Sequence, residues 1–123
     1  MKAVVTGGAG FIGSHLVDLL LKEKVKVTVL DNFSTGRPGN LDHVREQINL
    51  VECDLAFKGD WIQHLDNADW VFHLAALADI VPSIQQPEAY FRANVDGTFN
   101  VLQAAKAAEV KRFIYIASSS CYG

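Results

Sequence analysis

Short β-branched runs alternate along the chain with stretches whose apolar residues recur at helical spacing. Ala3-Val4-Val5-Thr6 runs into glycines and predicts a buried strand. From Phe11 to Glu23 the apolar positions Ile12, Leu16, Leu19 and Leu20 fall on one helical face. A second strand is expected over Val25–Leu30, ending at Asp31, and a loop rich in Ser, Thr, Pro and Gly over Asn32–Asn40. A short helix at Leu41–Glu46 leads to a third strand, Ile48–Cys53, with Asp54 just beyond it. Trp61–Leu65 reads as one helical turn, and Trp70–Leu74 as a fourth strand. Pro87 suits the first turn of a long helix reaching about Ala108, with Val95, Phe99 and Leu102 on the face turned to the sheet. Gly97 inside that helix costs roughly 1 kcal/mol relative to alanine, so a packing reason is expected for it. Arg112–Ala117 is a fifth strand. Strands alternating with helices imply right-handed crossovers and a parallel sheet covered on both faces.

Composition narrows this picture. The chain has 123 residues, enough for one core, with half of them apolar. Eleven basic and 14 acidic residues give a net charge of −3, with no basic patch to suggest nucleic acid. No apolar run approaches the roughly 18 residues of a membrane span. Met1–Val5 leads straight into the glycine motif, so no signal peptide is expected. Cys53 and Cys121 lie far apart and read as reduced packing residues of a cytoplasmic protein. His15, His43, His64 and His73 share no ligand spacing, so no metal site is expected, and His73 reads as a satisfied core histidine rather than a base.

The chemistry concentrates where strands end. Thr6-Gly7-Gly8-Ala9-Gly10-Phe11-Ile12-Gly13 sits between a strand and an amphipathic helix, the context a dinucleotide-binding turn requires. Gly7 allows the tight turn, Gly10 lets a pyrophosphate approach the backbone, and Gly13 lets helix and strand pack closely. The helix N-terminus supplies amides and a favourable dipole for phosphate. Asp31 follows Gly13 by 18 residues, near the position from which an acid binds the adenosine ribose. A carboxylate there repels a 2′-phosphate and points to NAD; nearby Arg37 is the one feature that would suit NADP. On residue type alone Asp54 is either an adenine contact or a turn former. Leu74-Ala75-Ala76 has small side chains where a cofactor could pass close to the backbone.

Taken in order, these signatures resemble the extended short-chain dehydrogenase/reductases, specifically the NAD-dependent epimerase/dehydratase family with its UDP-glucose 4-epimerase-like members. The resemblance also rests on Asp31-Asn32-Phe33-Ser34-Thr35-Gly36, Asp54-Leu55, His73-Leu74-Ala75-Ala76, Asn94-Val95-Asp96-Gly97-Thr98 and Ser118-Ser119-Ser120-Cys121-Tyr122-Gly123. It implies a Rossmann-type doubly wound parallel sheet, incomplete, with five strands in this chain. By resemblance Gly7, Gly10, Phe11, Ile12 and Gly13 hold the pyrophosphate. Asp31 and Asn32 hold the ribose, with Ser34, Thr35 and Gly36 nearby, and Asp54 and Leu55 contact adenine. Leu74, Ala75 and Ala76 line the nicotinamide side, with Asn94 contributing from the long helix. Ser118 matches the serine that hydrogen-bonds the sugar hydroxyl being oxidised, with Ser119 and Ser120 near the substrate.

Two departures stand out. Where many epimerases carry a lysine against the cofactor, this chain has Ala78. The family's proton-transfer pair, Tyr-x-x-x-Lys, does not occur: Asn94 follows Tyr90 by four residues and Ser119 follows Tyr115 by four. The expected reading is therefore residues 1–123 as the N-terminal, NAD-binding part of a longer nucleotide-sugar epimerase. A substrate-binding C-terminal domain lies elsewhere, and this stretch alone is inactive. The whole enzyme would act on a nucleotide sugar, a UDP-sugar above all, as a homodimer. A nucleotide-sugar dehydratase of the same family, or a free-standing NAD-binding regulatory module, is the alternative.

Overall fold

A computed structural model describes residues 1–118 and 122. Five parallel strands form one sheet: β1 (Lys2–Thr6), β2 (Lys26–Asp31), β3 (Ile48–Glu52), β4 (Trp70–His73) and β5 (Arg112–Tyr115). Their spatial order is β3-β2-β1-β4-β5, so the direction of winding reverses between β1 and β4. Ligands of open α/β sheets bind at such a reversal, beyond the carboxyl ends of the strands.

Because side chains alternate along each strand, the sheet buries two separate cores. Ala3, Val5, Val27 and Val29 face α1 (Phe11–Lys22) and the 3₁₀ turns of Pro38–Gln47. Val4, Leu30 and Val71 face the second layer, with Trp61 and Leu65 of the 3₁₀ segment Asp60–Leu65 and Val101, Ala104 and Ala105 of α4 (Gly97–Ala107). Leu30 is fully buried between layers, and its truncation to alanine would cost about 2–5 kcal/mol. At the amino ends of the strands Asp69 accepts the Lys2 backbone N–H at 2.9 Å and pairs with Lys111 at 3.2 Å. The Lys2 hydrogen bond, and then Lys111, hold its carboxyl below the usual range.

In both helices the face turned to the sheet departs from the one the apolar spacing predicts, although in α1 Leu20 is buried and Leu16 packs partly against the core as expected. In α1 the buried residues are Gly13, Ser14, Val17 and Leu20, while Ile12 and Leu19 are exposed. The small Gly13 and Ser14 let the helix start hard against the glycine turn, which rotates its contact line away from Ile12. The expected long helix is present and unbroken, as α3 (Pro87–Phe91), a π-helical turn (Arg92–Asp96) and α4 in direct succession; a short α2 (Ile80–Gln85) that the pattern does not reveal precedes it. Gly97, Val101, Ala104 and Ala105 pack inward, so Val95, Phe99 and Leu102 face outward rather than toward the sheet. A Cβ on Gly97 would meet Leu55 Cβ at 3.7 Å, an ordinary contact, so packing does not explain that glycine. Among the described residues no helix is long and apolar enough to cross a membrane, and no group of three or more His, Cys, Asp or Glu gathers as a metal site would need.

Candidate functional site: a cleft at the carboxyl ends of the strands

Beyond the ends of β1 to β4 lies a solvent-open cleft with a cavity volume of about 110 Å³. Gly7, Gly10, Asp31, Asn32, Ser34, Thr35, Gly36, Asp54, Leu55, Leu74, Ala75 and Ala76 line it, each singled out in the sequence. Cys53, Ala56, Leu77 and Ala93 complete the lining and were not expected there.

The glycine turn divides by what each missing side chain leaves room for. Gly7 has φ +72°, and a Cβ there would fall 2.7 Å from the Ala75 backbone nitrogen. A Cβ on Gly13 would overlap the Gly7 carbonyl oxygen. These two glycines are required by the protein itself. Gly10 is different: its φ is −74°, and its Cβ would meet nothing closer than Gly7 O at 3.3 Å. The space it leaves opens into the cleft. Just beyond it, α1 begins with no side-chain cap and no acidic residue in its first turn. The amides of Phe11, Ile12 and Gly13 there have no acceptor from a preceding turn, and they sit at the positive end of the helix dipole. An uncapped helix start facing a vacated Cβ position suits an anionic group.

Asp31, almost fully buried, ends β2 and shapes the loop that follows it. Its Oδ2 accepts Ala9 N–H at 3.0 Å and its Oδ1 accepts Phe33 N–H at 2.8 Å. It therefore holds the loop in shape, Phe33 included at a left-handed φ of 58°, while its carboxylate lines the cleft. The loop is further pinned on Ala9: its carbonyl accepts Arg37 N–H at 3.1 Å and Asn40 Nδ2 at 2.8 Å. Asn40 was not picked out in the sequence, since a lone Asn in a polar loop carries no signal. Asn32 Oδ1 accepts Ser34 N–H and Asp54 Oδ1 accepts Ala56 N–H, both at 3.0 Å. Asp54 is thus a turn former that also lines the cleft. Burial, then the charges of Asp31 and Asp54, push the neighbouring Cys53 thiol up to about 11.

On the far wall Asn94 does not reach the cleft through its side chain. Its Oδ1 accepts Leu77 N–H at 2.8 Å and its Nδ2 donates to Leu77 O at 2.9 Å, so it braces the strip that does. His73 is the satisfied core histidine expected: Nδ1 lies 2.7 Å from Thr6 Oγ1 and Nε2 lies 2.9 Å from Thr98 Oγ1. Burial lowers it to about 4. Ala78 and Ser118 are exposed, Ser118 beyond the end of β5. Ser119, Ser120 and Cys121 lie outside the described residues.

A five-stranded parallel sheet in this order, with a glycine turn, an uncapped helix start and an acid around its switch point, is a Rossmann-type dinucleotide-binding architecture. The chain belongs to the NAD dependent epimerase/dehydratase family, whose profile matches residues 3–123. It is 34% identical over 122 residues to a UDP-N-acetyl-alpha-D-glucosaminuronate decarboxylase of Bacillus cytotoxicus, covering 99% of this chain and 38% of the relative. The structure of a UDP-N-acetylglucosamine 4-epimerase from Methanobrevibacter ruminantium, in complex with UDP-N-acetylmuramic acid, superposes with a TM-score of 0.90 at 41% identity, over 99% of this chain and 39% of that one. A Thermus thermophilus UDP-glucose 4-epimerase in complex with NAD gives 0.84 at 36% identity, over 92% and 36%. The chain thus spans well under half the length of these relatives.

Proposed function

We propose that this chain is the NAD-binding part of a nucleotide-sugar epimerase, similar to UDP-glucose 4-epimerase, that works by transient oxidation of a sugar hydroxyl. The observation that carries the reading is Gly10: a side chain there would meet only the Gly7 carbonyl oxygen, at 3.3 Å, and the residue lines a cleft bounded by an uncapped helix start. Pyrophosphate fits there, with the amides of Phe11, Ile12 and Gly13 as donors. The Asp31 carboxylate suits ribose hydroxyls and disfavours a 2′-phosphate. Asp54 and Leu55 flank the adenine end, and Leu74–Ala76 give a narrow wall for the nicotinamide. NAD, when bound, supplies a reversible hydride acceptor. Ser118 orients the sugar hydroxyl by hydrogen bonding, but a serine hydroxyl is itself a poor base for that proton. That step needs a tyrosine whose pKa a neighbouring lysine lowers, and residues 1–123 contain no Tyr-x-x-x-Lys. We place that pair and the sugar-binding domain in the remainder of a longer protein.

Assembly and location follow from the same reading. Phe91, Val95, Phe99 and Leu102 recur at helical spacing and are 45–58% exposed. A stripe of that kind fits a second copy of the protein packing helix to helix, and sedimentation should give a dimer; a monomer at high concentration would reject this. Two cysteines far apart in the chain suit a reducing, cytoplasmic compartment. The function is tested by assaying the full-length protein with NAD and UDP-galactose, following reduced nicotinamide and the sugar product. Interconversion of UDP-galactose and UDP-glucose that falls in Ser118→Ala is expected. Turnover by residues 1–123 alone would overturn the division of labour, and no turnover of any nucleotide sugar by the full-length protein would overturn the reading.

A further inference from the structure

The row of side chains just below the cleft holds a polar chain that the cofactor contacts do not use. Parallel register places Leu30, Thr6, His73 and Tyr115 side by side across β2, β1, β4 and β5. Thr6 and His73 are fully or almost fully buried, and Thr98 of α4 meets them from the helical layer. Proton counting orders this chain. Thr98 Oγ1 donates to Asn94 O at 2.6 Å, and a hydroxyl has one proton to give. His73 Nε2 must then be the donor in its 2.9 Å contact with Thr98 Oγ1. The other ring nitrogen, Nδ1, is left as an acceptor, which the Thr6 hydroxyl fills at 2.7 Å. Thr6 Oγ1 in turn accepts the backbone N–H groups of Leu74 and Ala75, each at 3.1 Å. Each hydroxyl and imidazole proton has one acceptor, the Leu74 N–H is shared between Thr6 Oγ1 and the Thr6 carbonyl oxygen, each at 3.1 Å, and the chain closes only for the neutral, Nε2-protonated imidazole.

The two ends of this chain hold the two ends of the cleft's far wall. Thr6 grips Leu74 and Ala75, and Asn94 clamps both backbone groups of Leu77. Ala75 also lies directly against the glycine turn, where a Cβ on Gly7 would collide with it. A π-helical turn carries Asn94, and such irregular turns are found frequently at functional sites. The geometry points to His73 and Thr98 as positioning residues: as a fixed-tautomer brace they hold the Leu74–Leu77 strip at its distance from the glycine turn and so set the width of the cleft. The rings of Phe113 and Tyr115 flank the imidazole at centroid distances of 6.0 and 6.1 Å, and burial favours its neutral form.

That the cleft takes a dinucleotide rests on the proposed function; the brace itself does not. The test therefore has a ligand-free arm and a binding arm, both on the full-length protein. In the first, ¹⁵N-histidine labelling and two-bond proton–nitrogen correlations read the His73 ring, assigned through its contacts with Phe113 and Tyr115. A neutral Nε2–H tautomer at pH 6.5 is expected, and an Nδ1–H tautomer or an imidazolium would overturn the brace. In the second, Thr98→Val removes both the acceptor and the donor, and Thr98→Ser keeps them. Thr98→Val should weaken NAD binding about tenfold and speed amide exchange at Leu74, Ala75 and Leu77, with Thr98→Ser close to wild type in both. Serine failing to rescue, or valine leaving exchange at those three amides unchanged, would overturn it. If Thr98→Val does not fold, the wild-type tautomer still decides. If the wild type binds no NAD, the dinucleotide reading fails while the tautomer and the exchange rates still judge the brace.

Discussion

One wall of the cleft carries its own supports, and the other borrows them. Between Gly7 and Gly36 the turn, the helix start and the loop after β2 are held by bonds among themselves: Asp31 to Ala9 and Phe33, Asn32 to Ser34, Arg37 to Ala9. The opposite wall, Leu74–Leu77, is held by Thr6 and Asn94, with His73 and Thr98 between them, through bonds linking residues 17 to 69 positions apart. The first wall joins two motifs that follow adjacent strands, through bonds spanning 2 to 28 positions. A wall of the second kind exists only once β1, β4 and α4 have come together. The difference predicts where damage stays local and where it spreads.

The sharpest test of the self-supporting wall sets its glycines against one another. Gly13→Ala forces a side chain into the Gly7 carbonyl and should destabilise the protein by more than about 4 kcal/mol, read as loss of cooperative unfolding at ambient temperature. Gly10→Val meets only a close contact with the same carbonyl and fills the cleft instead. It should stay folded and lose NAD affinity by at least about a hundredfold in a calorimetric titration. A folded Gly10→Val that binds NAD normally would place the pyrophosphate elsewhere.

The borrowed wall should show itself as acid sensitivity. Burial lowers His73 to about 4 from the ordinary 6.5, so between those values the unfolded chain binds a proton that the folded chain refuses. Stability from this group is complete above about pH 6.5 and is lost as pH falls toward 4, by roughly 3 kcal/mol in all. Denaturant unfolding across that range should show the decline, and His73→Gln should flatten it. An equal slope in wild type and variant would remove His73 as its source.

What was legible in the chain follows the same division. The five strands, the glycine turn, Asp31 and Asp54 could be read because each depends on local spacing: a short apolar run, three glycines, an acid at a strand end. The helix faces were misread because apolar periodicity ignores small residues. Gly13 and Ser14 bring α1 in on their own side, and Gly97, Ala104 and Ala105 do the same for α4, leaving Phe99 and Leu102 outside. Asn94 was singled out, but its bond to Leu77 has no signature in one dimension. The Thr6–His73 pairing had one: both residues are polar ends of apolar strands, and parallel register sets such ends side by side.

A smaller effect concerns the part of the cleft beside Asp54. Cys53 sits in the cleft lining with its thiol raised to about 11, so little of it is thiolate at pH 8. Its alkylation by iodoacetamide, followed peptide by peptide, should run about tenfold slower than that of a free thiol, and slower again with NAD present. Rapid labelling unaffected by NAD would put Cys53 outside the occupied part of the cleft.

The central claim, that this cleft holds NAD through the Gly10 space and the Asp31 carboxylate, is tested most directly by one titration. The full-length protein, freed of bound nucleotide, is titrated calorimetrically with NAD and with NADP at the same ionic strength. Saturable binding of one nucleotide per chain is expected, with NAD tighter by at least about tenfold, as the proposed place of the Asp31 carboxylate beside the ribose requires. Equal or tighter binding of NADP, or no binding of either by folded protein, would contradict it.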